Sequence, residues 1–308
     1  MISIQNLRKR YGKMEALKGL SLEIEKGTVF GFVGPNGAGK STTMSILATL
    51  LEPTSGKAYV GGYEVTKNPR EVRKLIGYMP DFFGVYDNLT AAEYLDFYAA
   101  NYDIPQAQRK QIIPQLLELV NLSHKRDAYV DSLSRGMKQR LGLARCLVHN
   151  PEVLILDEPA SGLDPRARIE LREILKELRD MGKTIIISSH ILPELAEMCD
   201  VIGIVEEGNL VAFGRVDEIY AKMQERRVLR IRLLDRLEET IHFLREQPAV
   251  SHVTREGNSV VVSFSGDDEQ QVELLRNLAV AGYSVAAFNE AQGDLEEIFL
   301  EITKGVGS

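Results

Sequence analysis

Eight residues, Gly34-Pro35-Asn36-Gly37-Ala38-Gly39-Lys40-Ser41, restrict this chain more than any other stretch. The apolar run Val29 to Val33 leads into them. Met44, Leu47 and Ala48 follow at helical spacing within Ser41 to Leu51, so the stretch is the turn of a strand, loop and helix unit. Its glycines let successive backbone N–H groups turn toward one point, and the helix N-terminus adds positive potential there. Lys40 decides between an ordinary glycine turn and an anion site, because a lysine in the first turn of a helix opposes the dipole unless an anion is bound. The unit is therefore predicted to cradle phosphates, with Lys40 reaching the β- and γ-phosphates, the Ser41 hydroxyl able to ligate Mg²⁺, and Thr42 beside them.

A second motif fits the same chemistry. Val153 to Leu156 is an apolar strand that ends in Asp157-Glu158-Pro159, and the proline stops it there. Alone, this would be a solvated acidic turn. Beside a phosphate cradle it becomes a site in which Asp157 holds Mg²⁺ and Glu158 polarises water.

With 308 residues the chain exceeds the usual single-domain length, and 44% hydrophobic with 26% charged residues is the balance of a globular protein. A formal charge of −7 argues against a nucleic-acid partner. Cys146 and Cys199 are too few for a disulfide framework, which suits a reducing cytoplasm. No apolar run approaches the ~20 residues needed to cross a bilayer. Met1 to Gln5 lacks a basic segment leading into an apolar one, so no signal peptide and no covalent membrane anchor are expected.

The patterning predicts strands at Ile2 to Leu7, Leu20 to Ile24 and Thr184 to Ser188, besides those flanking the two motifs. Thr90 with Glu93 forms a capping box ahead of Ala91, Tyr94, Leu95 and Tyr98 on one helical face. A helix over Gln106 to Val120 contains Pro114 and should kink or start there. Met137, Leu141, Ala144 and Val148 line another helix, and Leu171, Ile174, Leu175 and Leu178 a further one. Such β/α alternation predicts a largely parallel, covered sheet. Past Gly214 the character changes, and the charged stretch through Gln224 to Arg227 suggests a boundary. Beyond it a β-α-β-β-α-β order suggests a small α+β ferredoxin-like unit, its second helix lined by Val272, Leu275 and Ala279. A last helix is expected after Asp294, with Leu295, Ile298, Phe299 and Ile302 on one face.

Between the two motifs lies Leu133-Ser134-Arg135-Gly136-Met137-Lys138-Gln139-Arg140, which resembles the signature of the ATP-binding-cassette (ABC) family. The resemblance covers roughly Met1 to Tyr220 and implies an α/β fold: an ABC-type P-loop NTPase domain with a parallel sheet core, an antiparallel β subdomain and a helical subdomain. It further implies that Ser134 and Gly136 touch the γ-phosphate held by a second copy, that Tyr11 stacks on adenine, and that Ser161-Gly162-Leu163-Asp164 couples the two sites. His190 resembles the histidine that contacts the γ-phosphate and positions the attacking water. Two positions depart from the family. Arg135 stands where glycine is usual, and Asp81 stands where a glutamine usually ligates Mg²⁺. A carboxylate at Asp81 can still ligate the metal but adds repulsion to Asp157 and Glu158 without it. Phe82, Phe83 and Tyr86 would suit either core packing or a groove that grips a helix of a membrane partner.

The residues past the boundary resemble the accessory tail of daunorubicin-resistance-type exporter ATPases. Two domains are thus expected, an ABC ATPase domain over 1–222 and an accessory domain over 223–308. The resemblance implies an ATPase using ATP and Mg²⁺, paired with a second ABC ATPase subunit, most simply as a homodimer. It would drive a separate membrane permease from the cytoplasmic, inner face of the membrane. Chromosome-maintenance ATPases share the first two motifs but insert a long coiled coil before the signature, and no sustained heptads occur between Ser41 and Leu133. Translation-associated cassettes usually carry two cassettes and basic surface, whereas this chain has one and is acidic.

Overall fold

The computed structural model describes residues 1–81, 84, 88–219 and 227–291. The chain divides into two compact units, Met1–Gly214 and Arg215–Ser308. In the first, β1 (Ile2–Tyr11) and β2 (Met14–Ile24) pair antiparallel and join β4 (Ser55–Val60) and β5 (Tyr63–Glu64) in a sheet ordered β2-β1-β4-β5. A six-stranded sheet has the order β10-β9-β3-β8-β7-β6, from β3 (Val29–Val33), β6 (Ile76–Met79), β7 (Val153–Leu156), β8 (Thr184–Ser189), β9 (Val201–Glu206) and β10 (Asn209–Arg215). β3 pairs parallel with β8 and β9, and β7 with β6 and β8. Every residue of β3, β7 and β8 is buried, as expected for parallel strands covered on both faces.

Register in this sheet decides what gathers at its edge. Val33 stands opposite Ser189, Leu156 opposite Ile187, and Met79 opposite Leu156. The next residues along the strands are Gly34 beside His190 and Asp157 beside Ser188, so all the candidate groups leave the carboxyl ends of parallel strands. Ligands of open α/β sheets bind on that side.

Helix α1 (Lys40–Leu47) follows the glycine stretch, and α2 (Pro69–Leu75) precedes β6. The helical segment comprises α3 (Ala91–Asn101), α4 (Gln106–Leu119) and α5 (Arg135–Leu147). The Thr90–Glu93 capping box closes as expected, with Ala91, Tyr94 and Leu95 buried. α4 runs through Pro114 instead of starting there, because Pro105 already provides the extended residue from which the helix departs. α6 (Pro165–Asp180) buries Leu171, Ile174, Leu175 and Leu178, and α7 (Leu192–Ala196) follows β8.

The second unit has β11 (Arg227–Leu233), α8 (Leu237–Arg245), β12 (Val250–Glu256), β13 (Ser259–Phe264), α9 (Asp268–Val280) and β14 (Val285–Ala291). Its strands pair antiparallel in the order β12-β13-β11-β14, which is the ferredoxin-like arrangement. Leu229, Ile231, Leu233, Val260, Val262 and Phe264 meet Ile241 and Leu244 in its core. One expectation fails in α9. Leu274 and Leu278 face the sheet, whereas Val272 and Leu275 are exposed, because two apolar stripes compete for one interface and the pair of leucines takes it. The helix expected after Asp294, the aromatics Phe82, Phe83 and Tyr86, and the stretch 224–226 lie outside the described residues.

Candidate functional site

The loop from Gly34 to Gly39 closes on itself through the Ala38 N–H, which donates to the Pro35 carbonyl at 3.1 Å. Gly39 stands at the N-cap of α1 with φ 109°, and a Cβ there would come within 2.7 Å of Leu17 and 2.9 Å of the Ala16 carbonyl. Only glycine meets both demands. Pro35, Asn36 and Gly37 stay exposed, as does Ser41, whereas Ala38 and Thr43 anchor the loop from below. Thr43 Oγ1 donates to the Gly39 carbonyl at 2.9 Å.

Lys40 is 5% exposed. Its ammonium donates to the carbonyls of Gly34 at 2.5 Å and Pro35 at 3.2 Å, and lies 3.7 Å from Glu158 Oε1. Burial pushes its pKa down, against the opposing pull of Glu158 and Asp157. A buried cation facing its own loop carbonyls at a helix N-terminus is held by groups that an anion's oxygens would replace.

Asp157 is 3% exposed, and its Oδ1 accepts from Ser188 Oγ at 2.5 Å. The same Ser188 Oγ accepts from the Glu158 N–H at 2.8 Å. Glu158 has φ 49°, a left-handed conformation unusual for glutamate, and its carbonyl accepts from the Ser161 N–H at 3.0 Å. Its Oε2 lies 3.1 Å from His190 Nδ1. Both carboxylate oxygens are thus engaged, one toward Lys40 and one toward His190. Strand register brings Lys40, Asp157, Glu158 and His190 together as the motifs imply. Ser188 is a participant that sequence reasoning missed; its only signal is a hydroxyl at the end of the strand beside the acidic pair.

The other candidates sit elsewhere on the same unit. Ser134 caps α5, accepting from the Met137 N–H at 3.4 Å. Gly136 packs closely on the first turn of α6, where a Cβ would lie 3.1 Å from that of Ala167. Asp164 caps α6, accepting from the Ala167 N–H at 2.9 Å, with Pro165 at the first helical position. Tyr11 ends β1 half-exposed, with Lys9 Nζ 5.3 Å from its ring centroid. Asp81 is exposed just past β6, and its side chain makes no hydrogen bond or ion pair among the described residues.

The donors near Lys40 are suited to magnesium. They are oxygens only, the Ser41 hydroxyl and the remaining oxygen of Asp157, and two carboxylates face a single lysine, so the site has negative charge to spare. Among the described residues no group of three or more His, Cys, Asp or Glu forms an all-protein metal cage. Magnesium does not need one, since it combines one or two carboxylates with phosphate oxygens and water.

Residues 17–161 match the family described as "ABC transporter", and residues 214–303 match "ATP-binding protein DrrA1-3-like, C-terminal domain". Among curated proteins, the linearmycin resistance ATP-binding protein LnrL of Bacillus subtilis is 32% identical over 98% of this chain and 98% of its own. The bacitracin transport ATP-binding protein BcrA of Bacillus licheniformis is 37% identical over 99% and 98%. Among solved structures, a dimeric post-hydrolysis state of an ATP-binding cassette with ADP and Pi aligns with a TM-score of 0.63 at 25% identity, covering 70% of this chain and 99% of that one.

Proposed function

Because the chain belongs to the ABC transporter family, as an ATP-binding protein with a DrrA-like C-terminal domain, we propose that it hydrolyses ATP to power a separate membrane permease that exports its cargo. The observation that carries this reading is the engagement of Glu158 by Lys40 at 3.7 Å and by His190 at 3.1 Å, beside a glycine loop built for phosphates.

In this reading Gly34 to Thr42 hold the triphosphate, and Lys40 leaves its loop carbonyls to follow the β- and γ-phosphate oxygens. Tyr11 offers its half-exposed ring to adenine. Ser41 and Asp157, with Asp81 as a further carboxylate, would hold Mg²⁺, which offsets charge on the phosphates during transfer. Glu158 takes the proton from the attacking water as general base, and His190 orients that water and the γ-phosphate from the other side. The Ser188 hydroxyl fixes Asp157 and the Glu158 N–H with one group. Ser134 and Gly136 reach the γ-phosphate bound by a second copy, with Asp164 in the loop that couples the two sites. Two copies closing around two ATP, and reopening after hydrolysis, lever the permease. The dimeric cassette among the similar structures supports such a pair, and a homodimer is the simplest one.

As domains we place the ABC ATPase domain over 1–222 and the accessory domain over 223–308, eight residues beyond the division of the two compact units at Gly214. No described helix is long and apolar enough to cross a membrane. The charge of −7 favours no nucleic-acid partner, and the chain works peripherally on the inner face of the membrane through the permease.

The test is affinity purification of the Glu158→Gln chain from native membranes with MgATP. Recovery of a multi-spanning permease supports the reading. Recovery of soluble or ribosomal partners alone overturns it.

A further inference from the structure

Arg135 occupies the first helical position of α5, where no acidic residue stands in the first turn. A cation there opposes the helix dipole. It forms no ion pair among the described residues, so electrostatics does not explain its place. Its packing does. A Cβ built on Gly162 would collide with Cζ, Nη1 and Nη2 of Arg135 at nearly equal separations, so the face of the guanidinium, and not its edge, covers the bare Cα of Gly162.

Gly162 is the middle of the loop that leads from Glu158 to α6. Both ends of that loop are fixed. At one end the Ser161 N–H donates to the Glu158 carbonyl at 3.0 Å. At the other, Leu163 is buried, its carbonyl accepts from Arg168 Nε at 3.1 Å, and Asp164 caps the helix. The exposed middle, with φ 65° at Gly162, is covered by Arg135. Nearby, Gly136 against Ala167, and Arg140 Nη2 against Glu170 at 3.2 Å, join α5 to α6. The Glu158 main chain, itself at φ 49°, is therefore clamped by Ser188 on one side and by the loop under Arg135 on the other. A left-handed glutamate is strained and persists only where its surroundings hold it.

We propose that Arg135 is a positioning residue for hydrolysis: by lying over Gly162 it holds the Ser161–Asp164 loop, and through it the Glu158 main chain, in the geometry that aims the carboxylate at water. This rests on the reading of Glu158 as general base. Gly162 is the other half of the device, because any side chain there would take the guanidinium's place.

The test is steady-state ATPase kinetics of the full-length chain with MgATP, together with binding of a fluorescent ATP analogue. Arg135→Ala should lower kcat about tenfold to a hundredfold, the scale of a small misplacement of a catalytic group, and leave KM and analogue affinity within about twofold. Gly162→Ala should reproduce that loss. The double variant should be no worse than Gly162→Ala alone, since that substitution already removes the contact and both carry the strain of a methyl at φ 65°. Arg135→Lys, which retains charge but not the planar face, should recover only a minor part. Unchanged kcat in Arg135→Ala, a loss confined to KM and affinity, or multiplicative losses in the double variant would each overturn the proposal. The Glu158→Gln chain separates the two readings: retained turnover in that variant removes the assignment of the base itself, whatever Arg135 does.

Discussion

The two units of the chain bury different things. In the first, Lys40, Arg140, Asp157 and Lys183 are charged residues less than a tenth exposed, and each has a reason to be there or a set of partners that holds it. Lys183, for example, donates to Asn150 and to the Pro151 carbonyl. In the second, the buried polar residues among those described are the neutral hydroxyls Thr240 and Ser263, set within a core of leucine, isoleucine, valine and phenylalanine. The first unit departs from the packing rule that charges stay in water, and two of the four, Lys40 and Asp157, do so where phosphate chemistry needs them. The second obeys the rule throughout its described residues. Departures of this kind indicate where stability has been given up for function.

The largest expected effect breaks the comparison on its functional side. Glu158→Gln keeps the shape of the side chain but removes its basicity, so kcat for ATP should fall about 10²- to 10⁴-fold while ATP binding remains. Retained turnover, measured by phosphate release, would place the base elsewhere. On the other side, Phe264→Ala should open a cavity in the second unit and cost about 3–5 kcal/mol there. Urea unfolding followed in that unit should detect it, while the ATPase rate per folded first unit stays close to the parent's. A comparable loss of ATPase would show that the contrast between the units is false.

How much of this was legible in the sequence follows from the range of the interactions. The glycine loop, the Asp157-Glu158 pair and the caps at Thr90, Ser134 and Asp164 are local patterns, and each has the structure its pattern implies. The ferredoxin-like order of the second unit also followed from local patterning, because its hairpin turn at Glu256-Gly257-Asn258 and its alternating strands are short-range signals. Ser188 was not legible. It reaches Asp157 across 31 residues through strand register, which no local motif encodes. Nor was the buried stripe of α9, since Val272 and Leu275 make as good a helical pattern as Leu274 and Leu278 until the sheet chooses between them. Ser188→Ala tests the long-range part. It leaves the buried Asp157 oxygen and the Glu158 N–H unpartnered, which should cost about 1–3 kcal/mol and lower kcat together. A stability loss with unchanged kcat would reduce Ser188 to a structural bridge.

The smallest effect is the sharpest comparison, because it uses the same chemistry in both units. Asp164 accepts from the Ala167 N–H at 2.9 Å, and Asp267 accepts from the Gln270 N–H at 2.9 Å. As helix caps they are equivalent, so Asp164→Ala and Asp267→Ala should each cost about 0.5–2 kcal/mol, measured by denaturant midpoint. Their effect on turnover should differ. Asp164 ends the loop that begins at the Glu158 carbonyl, and relaxing that end loosens the support of the base, whereas Asp267 supports only α9. Asp164→Asn retains a capping oxygen and should recover both stability and rate if capping is the whole of its role. Recovery of stability without recovery of rate would show that the carboxylate itself acts across the pair of sites, and the cap would then be the lesser part of what Asp164 does.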